Sequence, residues 1–216
     1  MQNKSKEFNY RIAFLIAILT IIVCMLEAFV SIKFGLKSDS LTLFGFGIDS
    51  FIEVISSIGI AHMVLRIQYN PDEIRDKFEK TALKITGYSF YILTAGLIFT
   101  SIYNLYTGSK PKSEFSGIII SLASILVMLV LIYAKIKLGK SLKSDAILSD
   151  AECSKVCVYT SIILLVSSGV YELLKIPFID TIGTLGIAYL AFKEGKECFQ
   201  KILLNSNCSC ENKSFL

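Results

Sequence analysis

The sequence predicts an all-α integral membrane protein, a bundle of six transmembrane helices, and three observations carry that expectation. Hydrophobic residues fill 53% of the 216 positions and charged residues only 19%, against roughly 45–50% and ~25% in soluble domains. The mean hydropathy is +0.61. Two segments, 85–109 and 115–134, contain no Asp, Glu, Lys, Arg or His at all. A helix rises ~1.5 Å per residue, so about 20 apolar residues cross the ~30 Å hydrocarbon layer. Both segments read as membrane spans, and a soluble enzyme is excluded.

The first helix is expected over 10–32. Its apolar run follows Lys4, Lys6 and Arg11 and so imitates a signal peptide, but no A-x-A-like step follows and the pattern continues through Glu27 to Ile32. It reads as a retained span. The second and third are expected over 40–66 and 82–107, the fourth over 115–137, the fifth over 144–174 and the sixth over 178–203. Turn signals separate them: Gly35, Asn70-Pro71, Gly108 with Pro111, Gly139 and Pro177. The chain divides into one transmembrane domain, 1–204, and a short polar tail, 205–216, with no second domain and no repeat.

Orientation follows from the basic residues. Lys4, Lys6, Arg11, Arg66, Arg75, Lys77, Lys80, Lys135, Lys137, Lys140, Lys143, Lys193, Lys196, Lys201 and Lys213 fall on one side; Lys33, Lys37, Lys110, Lys112 and Lys175 fall on the other. Fifteen against five places both termini in the cytoplasm of a multi-pass cell-membrane protein. The lysines are spread over connections and form no single patch, so nucleic acid is not expected as a partner. The six cysteines give no disulfide framework, and Cys208 and Cys210 fall in a reducing compartment.

Ionisable residues inside spans are costly, about 2.5–3.5 kcal/mol each on insertion scales, and they mark pathways. Glu27 lies in the first helix, Asp49 and Glu53 in the second, Asp150, Glu152 and Lys155 in the fifth. Asp49 and Glu53 are spaced i, i+4, which puts both carboxylates on one helix face. Cys153 and Cys157 repeat that spacing, with Asp150 a turn earlier. Asp49 and Cys153 each lie ~14 Å from the start of their helices, so the pairs can meet near the midplane. Two carboxylates and two thiolates form a four-ligand set that tetrahedral Zn²⁺ accepts. Sulfur favours a borderline or soft metal over Mg²⁺ or Ca²⁺.

Blander readings stand beside these. Buried cysteines commonly pack as small apolar residues, the expectation for Cys24 and Cys198. Glu27 either completes the site or pairs with Lys155. His62, one turn from Arg66, reads as an interfacial residue, and a lone C-x-C at 208–210 as inert. The small residues Gly45, Gly47, Ser50, Ser56, Ser57, Gly59, Gly183 and Gly186 allow helices to approach.

These residues resemble the cation diffusion facilitator, or cation efflux, family. The stretch SDSLTLFGFGIDSFIEVISS (38–57) is similar to that family's second-helix signature, with Asp49 on the first acid and Glu53 where a second Asp usually stands. SDAECSKVC (149–157) resembles the fifth-helix A-D-A-x-H-x-x-x-D pattern, with Cys153 on the usual His and Cys157 on the usual Asp. IDTIGTLGIAYLAFKEGKECF (179–199) looks like the sixth helix of short bacterial members. The likeness spans about 10–204 and implies a short member without the ferredoxin-like cytoplasmic domain that typical members carry.

By that resemblance the protein moves a divalent transition metal, Zn²⁺ first, out of the cytoplasm by proton-coupled alternating access. Asp49, Glu53, Cys153 and Cys157 would be the ligands, with Glu27 and Asp150 supporting them from behind or lining a proton path. Four ionised ligands around Zn²⁺ leave two uncompensated negative charges, so the empty site is expected to hold protons that metal displaces. The expected partners are the ion, protons and the bilayer, with a homodimer as the assembly to consider. No tightly bound cofactor is expected, and neither a nucleotide-binding G-x-x-x-x-G-K-[ST] nor an H-E-x-x-H is present. The alternative is a non-transporting metal-binding, sensory or scaffolding protein of the same fold. The charge asymmetry predicts that cysteines introduced at Lys77 and Lys110 label from opposite faces of sealed vesicles; labelling from one face would overturn the span count.

Overall fold

The computed structural model describes residues 2–69, 75–107, 115–142, 145–176 and 178–211. Six helices run in order: α1 (Gln2–Ser38), α2 (Leu41–Tyr69), α3 (Arg75–Thr107), α4 (Phe115–Leu142), α5 (Asp145–Leu174) and α6 (Phe178–Glu211). The expected six-span bundle is therefore the fold. Among the described residues five helices are long and apolar enough to cross a membrane over Phe8–Ser38, Leu41–His62, Leu83–Tyr106, Phe115–Leu142 and Asp150–Leu174. α6 has the length, but Lys193, Glu194, Lys196 and Glu197 dilute its second half.

The packing has two parts. α1 packs on α2, α2 on α5, α5 on α4 and α4 on α1, which closes a four-helix ring. α3 and α6 form a close pair beside it, touching α2 and α5. Stacked and edge-on contacts of Tyr88 and Tyr91 with Phe192 and Phe199 hold that pair together. The polarity is inverted relative to a soluble bundle. Leu15, Leu19, Ile22, Leu26 and Phe29 line the outer face of α1 at helical spacing, whereas Thr20, Ser31, Ser121, Ser124, Ser154, Ser161 and Ser168 are buried. Apolar surface toward lipid and hydroxyls between helices is the arrangement a hydrocarbon solvent selects. Several hydroxyls bond back to the carbonyl four residues earlier, including Thr20 to Ile16, Thr94 to Phe90 and Ser161 to Cys157.

Two expected turn glycines lie inside helices. A Cβ at Gly35 would stand 2.7 Å from the Phe44 backbone nitrogen, and one at Gly139 would stand 2.8 Å from Leu148. Both glycines serve close helix approach, and α4 consequently runs to Leu142 where its apolar run suggested an end at 137. Asn70-Pro71, Gly108, Pro111 and Pro177 lie outside the described residues. The α1–α2 turn is made by Asp39 instead, in the left-handed region at φ 54°. Ser40 N–H donates to the Gly35 carbonyl at 3.0 Å, a Schellman closure of α1. Lys175, at φ 52°, closes α5 with its N–H on the Tyr171 carbonyl at 2.8 Å.

The start of α2 is held from α6. Asp180 is fully buried and accepts from Ser40 Oγ at 2.8 Å, from Leu41 N–H at 2.8 Å and from Thr42 N–H at 3.0 Å. The Thr42 hydroxyl donates in return to the Asp180 carbonyl at 2.5 Å. A helix N-terminus leaves its first N–H groups without partners, and a carboxylate there both satisfies them and meets the positive end of the dipole. Asp180→Ala strands three buried donors and should lower stability by about 2 kcal/mol or more. Asp180→Asn, which keeps one acceptor, should cost less. Thermal unfolding of the purified variants in one detergent checks the order.

Candidate cation site

The polar residues of the ring meet where α2 faces α5. The two helices run antiparallel, so rising numbers on α5 match falling numbers on α2. Ser56 donates to Asp150 Oδ1 at 3.2 Å, Ser154 to Glu53 Oε1 at 2.5 Å, and Thr160 to Asp49 Oδ2 at 2.9 Å. Asp49, Glu53, Asp150, Ser154 and Thr160 are all buried. The i, i+4 spacing that put Asp49 and Glu53 on one face thus aims both carboxylates at α5. The second face is read off α5 by the same periodicity, through Asp150, Ser154, Cys157 and Ser161.

α4 contributes a residue that the charge count places among the lysines of the cytoplasmic side. Lys135 is 1% exposed. Its ammonium donates to Ser154 Oγ at 2.7 Å, pairs with Asp150 Oδ2 at 2.8 Å and stands 3.7 Å from Glu53 Oε1. Asp150 therefore takes an ion-pairing role, and the remaining basic residues keep the same sided distribution without Lys135. α1 closes the fourth side with Glu27 and Cys24. Ser124 is a hydrogen-bonding neighbour of Glu27, and the Cys24 thiol of Glu53. Two carboxylate oxygens in this cluster, Glu53 Oε2 and Glu27 Oε2, are buried with no hydrogen-bond partner among the described residues. Buried oxygens of that kind need an explanation, since most buried polar atoms are satisfied.

Of the expected ligands, Asp49, Glu53 and Cys157 come into one electrostatic neighbourhood, together with Glu27 and Cys24. Cys153 is also buried, at the Glu53 level of α5. They are not gathered into a ready coordination shell: among the described residues no group of three or more His, Cys, Asp or Glu stands close enough to hold a metal. Thr160 and Ser154 engage the two carboxylates instead. The alternative pairing of Glu27 with Lys155 does not occur. Lys155 binds Glu152 at 2.7 Å on the exposed side of α5, while Glu27 faces Glu53 and Asp49. His62 is exposed. Cys198 is buried at the α3–α6 contact, its Cβ beside Gly87.

Sequence reasoning missed Lys135, Cys24, Ser154 and Thr160. A signal existed for one of them: Cys24 lies i, i+3 from Glu27 and so shares its helix face.

The family profile described as Cation efflux transmembrane domain matches residues 16–203. Among curated proteins the chain is 23% identical over 207 residues to the Manganese efflux system protein MneP of Bacillus subtilis (strain 168), covering 91% of this chain and 68% of that protein.

Proposed function

The chain belongs to the cation efflux family, a family of membrane transporters for metal cations rather than enzymes, and from that premise we propose that it exports a divalent transition-metal ion, zinc first, in exchange for protons. The ligands on this reading are Asp49, Glu53, Cys153 and Cys157, with both termini cytoplasmic. The observation that supports it is the pair of unsatisfied buried oxygens, Glu53 Oε2 and Glu27 Oε2, beside Asp49 in the centre of the ring. Asp150 and Lys135 neutralise each other. Among the described residues Asp49 and Glu27 then have no ion-pair partner and Glu53 has only a share of Lys135 at 3.7 Å, and isolated charge at that depth is costly. A divalent ion balances two of them, and protons do so when the ion is absent. Exchanging one metal for two protons keeps the charge of the site constant, which is the physical basis for antiport.

In this conformation Thr160 and Ser154 occupy the carboxylates, so coordination requires α2 and α5 to shift. Alternating access supplies such a shift. All four helices around the site come from one chain, so a homodimer would carry two complete sites.

A second reading concerns the ion. The name of the curated relative points to manganese, and carboxylate oxygens suit that harder ion better than thiols do. Proton-gradient-driven uptake into proteoliposomes, at matched protein density, separates the two. Asp49→Ala or Glu53→Ala should reduce uptake of either metal to background. Cys153→Ser with Cys157→Ser should lower Zn²⁺ and Cd²⁺ uptake by more than about tenfold and Mn²⁺ uptake far less. Cys24→Ser should reduce zinc transport, because its thiol touches Glu53, whereas Cys198→Ser should be near neutral. Unchanged zinc transport in the double serine variant would assign the thiols to packing and leave the manganese reading standing. Binding without uptake in the parent would overturn export.

A further inference from the structure

Lys135 enters the export reading only as the counter-charge of Asp150, yet it is the most enclosed cation among the described residues and sits against a proposed ligand. Its three nearest polar partners belong to two helices other than its own: Ser154 and Asp150 on α5 and Glu53 on α2. An ammonium carries three donors and no acceptor; those toward Ser154 and Asp150 are at hydrogen-bond distance, and Glu53 lies just beyond it.

The contacts are unequal. Asp150 meets Lys135 directly at 2.8 Å and is also bound by Ser56. Glu53 stands 3.7 Å from the ammonium and is reached through the Ser154 hydroxyl, which accepts from Lys135 and donates to Glu53. Its second oxygen has no hydrogen-bond partner among the described residues. Asp150 is therefore the firm partner and Glu53 the exchangeable one. A metal ion and the ammonium would compete for the same carboxylate at close quarters, in a medium that screens little.

We propose that Lys135 is a tethered competitor of the cargo, holding Glu53 while no metal is bound and passing wholly to Asp150 when a divalent ion arrives. This rests on the export reading and adds to it a positioning residue that weakens binding. The charge arithmetic is consistent: Lys135 with Asp150 is neutral, and Asp49 with Glu53 balances one divalent ion. Transport needs such weakening, because conduction requires an ion to be bound firmly enough to enter and loosely enough to leave. If Lys135 engages Glu53 in nine of ten empty molecules, the apparent metal affinity falls about tenfold.

The test uses the full chain, folded in detergent for binding and in proteoliposomes for transport, with Zn²⁺ and Mn²⁺ as probes. Lys135→Met alone leaves Asp150 as an uncompensated buried charge and can fail to fold. The informative variant is therefore Lys135→Met with Asp150→Asn, which removes the pair together. It should bind metal at least about tenfold more tightly, with KM and kcat both lower because release slows. Ser154→Ala, which cuts the link from Lys135 to Glu53 and leaves the ion pair intact, should tighten binding by a smaller factor. A purely structural lysine would change thermal stability and leave the KM-against-kcat balance alone. Unchanged or weaker binding in whichever of these variants folds overturns the proposal. The parent and Asp49→Ala provide the separation from the broader reading. A folded parent that binds neither ion defeats the export reading and this inference with it. A parent that binds, beside an Asp49→Ala variant that does not, leaves the lysine variants to decide this inference alone.

Discussion

Charge at membrane depth is the constraint on which the rest of this structure depends. Glu27, Asp49, Glu53 and Asp150 stand inside a ring of four helices with one ammonium, Lys135, among them. Water would solvate such a cluster, and hydrocarbon does not. The chain therefore has to supply partners from its own side chains, and the positions of the helices follow from that need. α5 lies against α2 because Ser154 and Thr160 must reach Glu53 and Asp49. α4 lies against α5 with Lys135 on the inner side. α1, with an outer face lined by apolar side chains, turns Glu27 and Cys24 inward.

Hydroxyls do most of the remaining work, and their number explains how close the helices come. A serine between two helices satisfies a carboxylate or another hydroxyl while occupying little more volume than alanine, as Ser154 and Ser161 do on α5. The α3–α6 pair follows another logic, with rings stacked in place of ions buried. It is joined to the site-bearing ring where Asp180 caps α2 and where the Ser167 hydroxyl of α5 donates to the Ile179 carbonyl at 3.2 Å. The N-terminal end of α2 is thereby fixed to α6, and the same half of the helix carries the two carboxylates. Displacement of α2 as a whole would carry α6 along, through three hydrogen bonds to one buried carboxylate.

Much of this was legible in the sequence. The charge-free stretches announced spans, and the i, i+4 acids on α2 announced a face, since both signals depend only on composition and period. What escaped had physical reasons. The end of α4 was placed at an apolar boundary and at Gly139, yet hydrogen bonding carries the helix on to Leu142, and glycine there admits Leu148. Lys135 lies inside the expected helix in either case, but counting it with the cytoplasmic-side charges hides that it faces the ring and not solvent. Ser154 and Thr160 carry no charge, so nothing in a single sequence separates them from ordinary packing hydroxyls; only the register of α5 against α2 does. The cysteines illustrate the converse. Cys153 and Cys157 stand out by their spacing, while Cys24, equally buried, reads as packing because a lone buried cysteine commonly is.

The same contacts bear on how an ion is taken and given up. Each site carboxylate is held by a hydroxyl of α5, and a buried hydrogen bond that is broken and not replaced costs about 1–3 kcal/mol. An arriving cation replaces both bonds with stronger ones, so the cost of parting α2 from α5 is met by the ion itself. Without an ion or protons the carboxylates fall back on Thr160 and Ser154, and the interface closes. On the export reading, Lys135 biases that balance toward closure by offering Glu53 a cation that never leaves. The site then has two compensated conditions, loaded with metal or with protons, the second with Lys135 on Glu53, and a ring that holds neither is disfavoured because its charge is uncompensated. That asymmetry is what an exchanger requires, since passage of an empty and unprotonated carrier across the membrane would dissipate the gradient it uses.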